Sequence, residues 1–221
     1  MVAELLMECR TALDVGAGFG ALALPLARRL LRVTAIEPAA AMGAALRRAA
    51  AREGLGNLTV YEAAWSDVNV GPHDLVVCAH VSSLLAPDSP FLAAVGRLAE
   101  RGVVLVRDLP GGQDKFFFGE LYPLLLGRPY AHGCDGRETL EGLERLGVAP
   151  TVTPIEYDSD QPFDSLEEAC DFWMEYMRLA GTGDSLRAFL AERLARDGEG
   201  WVARFRKRAV VVHWRTGTAG G

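Results

Sequence analysis

Apolar positions along this chain fall into two alternating kinds of run. Short runs bounded by turn residues occupy Thr11 to Val15, Arg32 to Ile36, Leu58 to Tyr61, Asp74 to Ala79 and Gly102 to Arg107. The last two are almost continuously apolar, the pattern of strands buried on both faces of a parallel sheet. Between them lie helical stretches: Ala21 to Leu31, apolar nearly all round, the alanine-rich Ala39 to Glu53, and a segment from about Asp88 to Glu100 that opens on Pro90. Pro25 fits the first of these only near its first turn, where backbone N–H groups lack intrahelical partners. Strands alternating with helices of this length predict right-handed βαβ units and an open, doubly wound α/β sheet.

The second half is less regular. Helices are expected over Lys115 to Leu126, Arg137 to Leu146, Ser165 to Leu179 and Ser185 to Arg196. Ser165 followed three residues later by Glu168 is an N-cap signature. Val148 to Glu156 alternates like a strand, but Pro150 and Pro154 restrict it to a sheet edge or interrupt it. Ala209 to Arg215 reads as a final strand, and the Gly-rich tail from Thr216 to Gly221 as unstructured. Phe116, Phe117, Phe118, Tyr122 and Tyr130, with Trp173 and Tyr176 further on, are the richest aromatic group. Aromatics at helical spacing serve as core or as the wall of an apolar pocket, and the pattern alone leaves both open.

Composition narrows the partners. At 221 residues the chain suits one domain, with or without an insertion, and its net charge of −6 offers no basic footprint for nucleic acid. The single basic run, Arg204 to Arg208, reads as a solvated helix end leading into a strand, in preference to a phosphate site. Cys9, Cys78, Cys134 and Cys170 share no C-x-x-C spacing, so neither a zinc site nor a redox pair is expected, and no metal. No run approaches the ~18 apolar residues of a membrane span, and no secretory signal opens the sequence. The expectation is a cytoplasmic protein with no membrane partner; a homodimer stays open.

The candidate chemistry begins at Ala12-Leu13-Asp14-Val15-Gly16-Ala17-Gly18-Phe19-Gly20. Three alternating glycines between a strand and a helix let backbone come close to a ligand, although an ordinary strand-to-helix turn also uses glycine for φ > 0. The spacing is G-x-G-x-G, with the third glycine one residue early for the dinucleotide pattern G-x-G-x-x-G. Glu37, at the carboxyl end of the second strand, suits a bidentate acceptor for two ribose hydroxyls. A dinucleotide site uses an acid in the same place, so Glu37 alone does not separate the ligands. His80 and Asp108 stand at the ends of the fourth and fifth strands, at the crevice where open α/β sheets bind ligands. Imidazole titrates near neutrality, so His80 is a candidate general base, equally readable as a hydrogen-bonding wall.

With Glu37 in place, the order of features resembles the class I S-adenosylmethionine (SAM)-dependent methyltransferases. Leu13 to Gly20 is similar to that family's first motif, Ala35-Ile36-Glu37-Pro38 to its second-strand acid, and Met42 to the methionine that commonly follows. Ala63-Ala64-Trp65 stands where the family often has Gly-Asp-Trp, and Asp74 to Val81 matches the fourth strand and its end. The resemblance covers residues 11 to 108 and extends to Ala209–Trp214. It implies a mostly parallel seven-stranded sheet with an antiparallel last strand, helices on both faces and a helical insert before that strand. One domain over 1–221 is implied, with 157–208 as the insert and a candidate substrate lid. It further implies SAM as cofactor, S-adenosylhomocysteine (SAH) as product, and Asp14, Gly16, Ala17, Gly18, Phe19, Gly20, Glu37, Pro38, Met42, Ala64, Trp65, Ala79, His80 and Val81 around the cofactor. His80 and Asp108 are the catalytic candidates. Related enzymes carry an N-terminal helical cover that is short here, and Ala64 removes a side-chain bond to adenine that backbone near Trp65 would replace. Methyl transfer from a sulfonium is an in-line displacement needing chiefly position and exclusion of water. No Asn-Pro-Pro-Tyr segment follows the fourth strand, which with the acidic chain points to a small-molecule acceptor. The alternatives are an NAD(P)-dependent oxidoreductase, for which no Tyr-x-x-x-Lys pair is visible, and a SAM-binding component of an assembly without catalysis.

Overall fold

The computed structural model describes residues 2–109, 114–131, 133–179, 181 and 183–217. Chain contacts divide it into two compact units: residues 1–109, 134–154 and 209–221, and residues 110–133 and 155–208. The expected tail lies, over 218–221, outside the described residues.

The elements run α1 (Val2–Glu8), β1 (Thr11–Val15), α2 (Ala23–Ala27), β2 (Arg32–Ile36), α3 (Ala40–Arg52), β3 (Leu58–Tyr61), β4 (His73–Ala79), α4 (Pro90–Leu98) and β5 (Ala99–Asp108). They continue with α5 (Phe118–Leu126), α6 (Gly136–Arg145), β6 (Thr151–Asp158), β7 (Gln161–Phe163), α7 (Leu166–Met177), α8 (Gly183–Arg193), β8 (Ala195–Asp197), β9 (Gly200–Ala203) and β10 (Arg206–Arg215). The large sheet has the order β3-β2-β1-β4-β5-β10-β6. Pairings among β1 to β5 are parallel and β10 runs antiparallel to β5. The chain winds outward from β1 through β2 to β3, then returns to β4 on the other side of β1. That reversal opens a crevice at the carboxyl ends of β1 and β4.

Strand alternation supplies both faces with core. Leu13, Val15, Val76, Cys78 and Leu105 join Phe91, Leu92 and Val95 of α4 and Leu143 of α6 in one buried cluster. Ala12, Val33, Ala35, Leu75 and Val77 meet Ala23 and Ala27 of α2 and Leu46 of α3 in another. Asp14 shares the strand parity of Ala12, so it is a carboxylate facing an apolar layer. Pro154 lies in β6 at the sheet edge, where a missing N–H breaks no ladder.

The first helix is shorter than its pattern. Regular α-helix covers only Ala23–Ala27, with turns on both sides, and Pro25 falls in its first turn. Ser89 caps α4 by accepting the Leu92 amide, directly before Pro90.

The second unit has its own core, in which Trp173, Leu121, Leu186 and Leu190 are fully buried. The aromatic residues build it: Phe116 and Phe118 are buried, Phe117 stacks on Trp173, and Tyr122 and Tyr130 pack at its margin. Trp173 Nε1 donates to the Phe116 carbonyl at 2.8 Å. Ser165 caps α7 through the Glu168 amide at 3.0 Å. Segment 157–208 contains α7 and α8 together with a small antiparallel sheet, β7-β9-β8, so it is helical and stranded in turn. The basic run follows a strand and not the expected helix end: it links β9 to β10 and opens the latter, and its Arg206 and Arg208 pair with Asp158 and Glu156.

Candidate functional site

The site grows from the end of β1. The chain leaves Val15 through Gly16, Gly18 and Gly20 at φ of 76°, 55° and 92°, all in the left-handed region. Gly16 and Ala17 both donate their amides to the Ile36 carbonyl, at 2.8 and 3.1 Å, which folds the turn across the end of β2. A Cβ on Gly16 would meet Val81 Cγ2 at 2.3 Å, so the loop after β4 rests directly on the first glycine. A Cβ on Gly18 would meet nothing within 4 Å. That side of the turn is open, and a ligand can lie against bare backbone there.

Two carboxylates bracket the turn. Glu37 is buried, with Oε2 accepting the Gly18 amide at 2.8 Å and Oε1 accepting the Ala39 amide at 2.9 Å. Each oxygen has a second lone-pair direction for a ligand hydroxyl. Asp14 is 2% exposed and its Oδ2 has no hydrogen-bond partner among the described residues. Burial pushes its carboxyl up to about 7, the Glu37 charge adds to the rise, and the Ala23 amide opposes it. A buried carboxylate oxygen left unpaired is costly and calls for a donor or a positive group.

Across the crevice, Ala79 ends β4 and is half-buried, and His80 follows with φ of 59°. A non-glycine residue held in that region marks local strain of the kind found at functional sites. The His80 amide donates to the Val106 carbonyl at 2.9 Å, tying the bend to β5. His80 Nδ1 lies 3.2 Å from Asp108 Oδ1, and both side chains are part-exposed.

The sequence-predicted residues therefore form one group and several flanking positions. Glu37 is bonded to Gly18 of the turn that Gly16, Ala17 and Gly20 share, Val81 meets Gly16, and Asp14 precedes the turn on β1, within electrostatic reach of Glu37. Phe19 is exposed on the turn, Pro38 is exposed beyond Glu37, and Met42 is half-buried on α3. Ala64 is exposed in extended backbone. Trp65 packs edge-on against Phe91, 5.2 Å between ring centres, as part of the core margin.

Arg107, which the sequence pattern passes over, is 1% exposed. Its Nε donates to Thr139 Oγ1 at 3.0 Å, and its Nη2 to the Cys134 carbonyl and to Cys134 Sγ, the latter at 3.2 Å. Cys134 Sγ in turn donates to the Ser82 carbonyl at 3.1 Å. A guanidinium on β5 thus fastens the start of α6 and the loop after β4 behind the crevice. The only sequence sign is a charge inside an apolar run, between Val106 and Asp108. Among the described residues no group of three or more His, Cys, Asp or Glu side chains is arranged for a metal, and no helix is long and apolar enough to cross a membrane.

Residues 12–102 match the family model described as a methyltransferase domain. No curated protein matches the chain in sequence. Among solved structures, YcgJ from Bacillus subtilis aligns with a TM-score of 0.57 at 13% identity, covering 99% of this chain and 98% of its own. Precorrin 8W decarboxylase from Methanobacterium thermoautotrophicum gives 0.55 at 17%, covering 98% and 88%. Magnesium protoporphyrin IX methyltransferase from Synechocystis PCC 6803, solved with bound SAH, gives 0.52 at 16%, covering 96% and 78%. At these identities the likeness is one of fold, and the family match is confined to residues 12–102, the stretch that holds the glycine turn. Residues 12–102 thus match a methyltransferase domain, and the chain as a whole shares its fold with these structures.

Proposed function

We propose that this protein transfers a methyl group from SAM to a small-molecule acceptor. The observation that carries the reading is Asp14 Oδ2, buried and unpaired at the foot of an open glycine turn. An ammonium group, such as that of a methionine moiety, would satisfy it directly or through water. Glu37 would receive the two ribose hydroxyls while its bonds to Gly18 and Ala39 keep it in place. Backbone at Ala64 and Trp65, with Phe19, Pro38 and Met42, would flank the adenosine, and Ala79, His80 and Val81 would wall the sulfur side. When bound, SAM supplies an activated methyl on a positively charged sulfur, and the protein's part is to position the acceptor and exclude water. Solved relatives in fold support the ligand: the magnesium protoporphyrin IX and geranyl diphosphate methyltransferases, with TM-scores of 0.52 and 0.50, hold SAH and SAM respectively. The test is incubation with methyl-tritiated SAM and a fractionated cell extract. Label in the small-molecule fraction supports the reading; label confined to protein or nucleic acid, or none at all, contradicts it.

A further inference from the structure

We infer that Arg107 is a positioning residue for the proposed SAM site: acting through Cys134 and Thr139, it fixes the loop after β4 and so holds Val81 against the glycine turn. The inference rests on the methyl-transfer reading and adds to it a buried group that touches no ligand.

The loop after β4 opens with a closed turn, in which the Leu85 amide donates to the Val81 carbonyl at 3.1 Å. Val81 stands at the head of that turn, with Cγ2 in the space that a side chain on Gly16 would need. Two further carbonyls of the turn receive side-chain donors from the region where α6 begins. Cys134 Sγ donates to the Ser82 carbonyl at 3.1 Å, and Thr139 Oγ1 to the Leu85 carbonyl at 2.8 Å. Both of these side chains also accept from Arg107. Its Nη2 donates to Cys134 Sγ at 3.2 Å and its Nε to Thr139 Oγ1 at 3.0 Å.

A guanidinium has donors and no acceptor. The thiol and the hydroxyl beside it therefore cannot give their protons to Arg107, and those protons turn to other acceptors. For Cys134 that acceptor is the Ser82 carbonyl. For Thr139 the Asp135 carbonyl, one turn back in the same helix, competes at 3.1 Å, and the Leu85 carbonyl is nearer. Arg107 thus sets the direction of both bonds and strengthens them by polarising their donors.

Burial argues that this arrangement does more than add stability. Arg107 is 1% exposed, and its hydrogen-bond acceptors among the described residues are all neutral. A buried charge without a counter-charge is costly, and a well-packed apolar side chain would stabilise the same place as well or better. What the guanidinium supplies is geometry: a loop pinned at two carbonyls, with Val81 set on Gly16.

Titration calorimetry with SAH on the full chain tests this, with circular dichroism establishing that each variant is folded. Arg107→Met should lower SAH affinity about threefold to thirtyfold, the range for residues that act through a packed network. In a Val81→Ala background the same substitution should cost under about twofold, because the contact through which Arg107 acts has been removed. In nitrogen-15 spectra of the unliganded chain, Arg107→Met should move the Gly16 amide resonance. A residue that only adds stability changes none of these in the folded protein. If Arg107→Met does not fold, Thr139→Val combined with Cys134→Ala removes the same two pins and carries the same comparisons. The inference is overturned if the folded variants bind SAH as the unaltered chain does, if the loss is equal with and without Val81, or if the Gly16 amide does not move. Absence of SAH binding by the unaltered chain overturns the methyl-transfer reading, and this inference with it; SAH binding with any of the three contrary results overturns this inference alone.

Discussion

Glu37 Oε2 accepts the amide of Gly18 at 2.8 Å, so the acid that ends β2 holds the glycine turn that ends β1. One residue thus holds the turn and, in the proposed reading, also receives the ligand. Replacing Glu37 by Gln keeps the size but puts an amide donor or a weaker acceptor where Gly18 and Ala39 both donate. The expected outcome is a SAH affinity lower by about tenfold to a hundredfold, from a charged hydrogen bond worth roughly 1.5–3 kcal/mol, with the circular dichroism spectrum unchanged. Titration calorimetry on the two proteins measures it.

Gly16 and Gly18 should respond differently to alanine. Both pay about 1–2 kcal/mol for a Cβ in the left-handed region. Gly16→Ala must also displace Val81, whereas Gly18→Ala enters open space. Gly16→Ala is therefore expected to lower the melting temperature further in thermal unfolding. Gly18→Arg should fill the open side and abolish SAH binding while the chain stays folded.

Asp14 makes stability and binding depend on pH in opposite directions. Its ordinary value of 3.8 is raised to about 7 in the fold, so between about pH 4 and 7 the folded chain holds a proton that the unfolded chain has released. Stability from this group is complete below that window, falls as pH rises through it and levels off above it. Asp14→Asn should flatten this component, visible as a pH-dependent difference in urea unfolding midpoints between the two proteins. An ammonium at Oδ2 favours the ionised form, so SAH binding near pH 6 should release a proton. Calorimetry in phosphate and in imidazole buffer, whose ionisation heats differ, would detect that release, and Asp14→Asn should abolish it.

Arg107 is expected to matter without touching a ligand. Arg107→Met removes the donor to the Cys134 carbonyl and to Thr139 Oγ1. The buried acceptor left behind should cost about 1–3 kcal/mol, read from urea unfolding. Hydrogen exchange should rise at residues 134–139 and spare β1 and β2.

The strand ends around the glycine turn were legible because their signals are local. Asp14, the three glycines and Glu37 sit at strand ends that apolar runs define on their own, and the structure joins them as that spacing implies. Pro25 marked the trouble in the first helix, yet apolar pattern alone extended it to Leu31 while regular helix ends at Ala27. Strands of three or four residues, such as Gln161–Phe163 and Ala195–Asp197, are too short to show a period of two, so 157–208 read as helical. The Arg107 contacts join residues 27 and 32 positions apart, and no spacing rule reaches that far. Phe116 to Phe118 could be read two ways because helical spacing is common to cores and pockets; burial shows Phe116 and Phe118 to be core of the second unit.

The central claim is that the turn from Asp14 to Gly20, with Glu37, is a SAM site. Parallel calorimetric titrations of the purified protein with SAH, SAM and NAD test it most directly. The account predicts saturable binding of SAH and SAM, weakened by Glu37→Gln and abolished by Gly18→Arg, with no heat from NAD. Saturable NAD binding without SAH or SAM binding would contradict it.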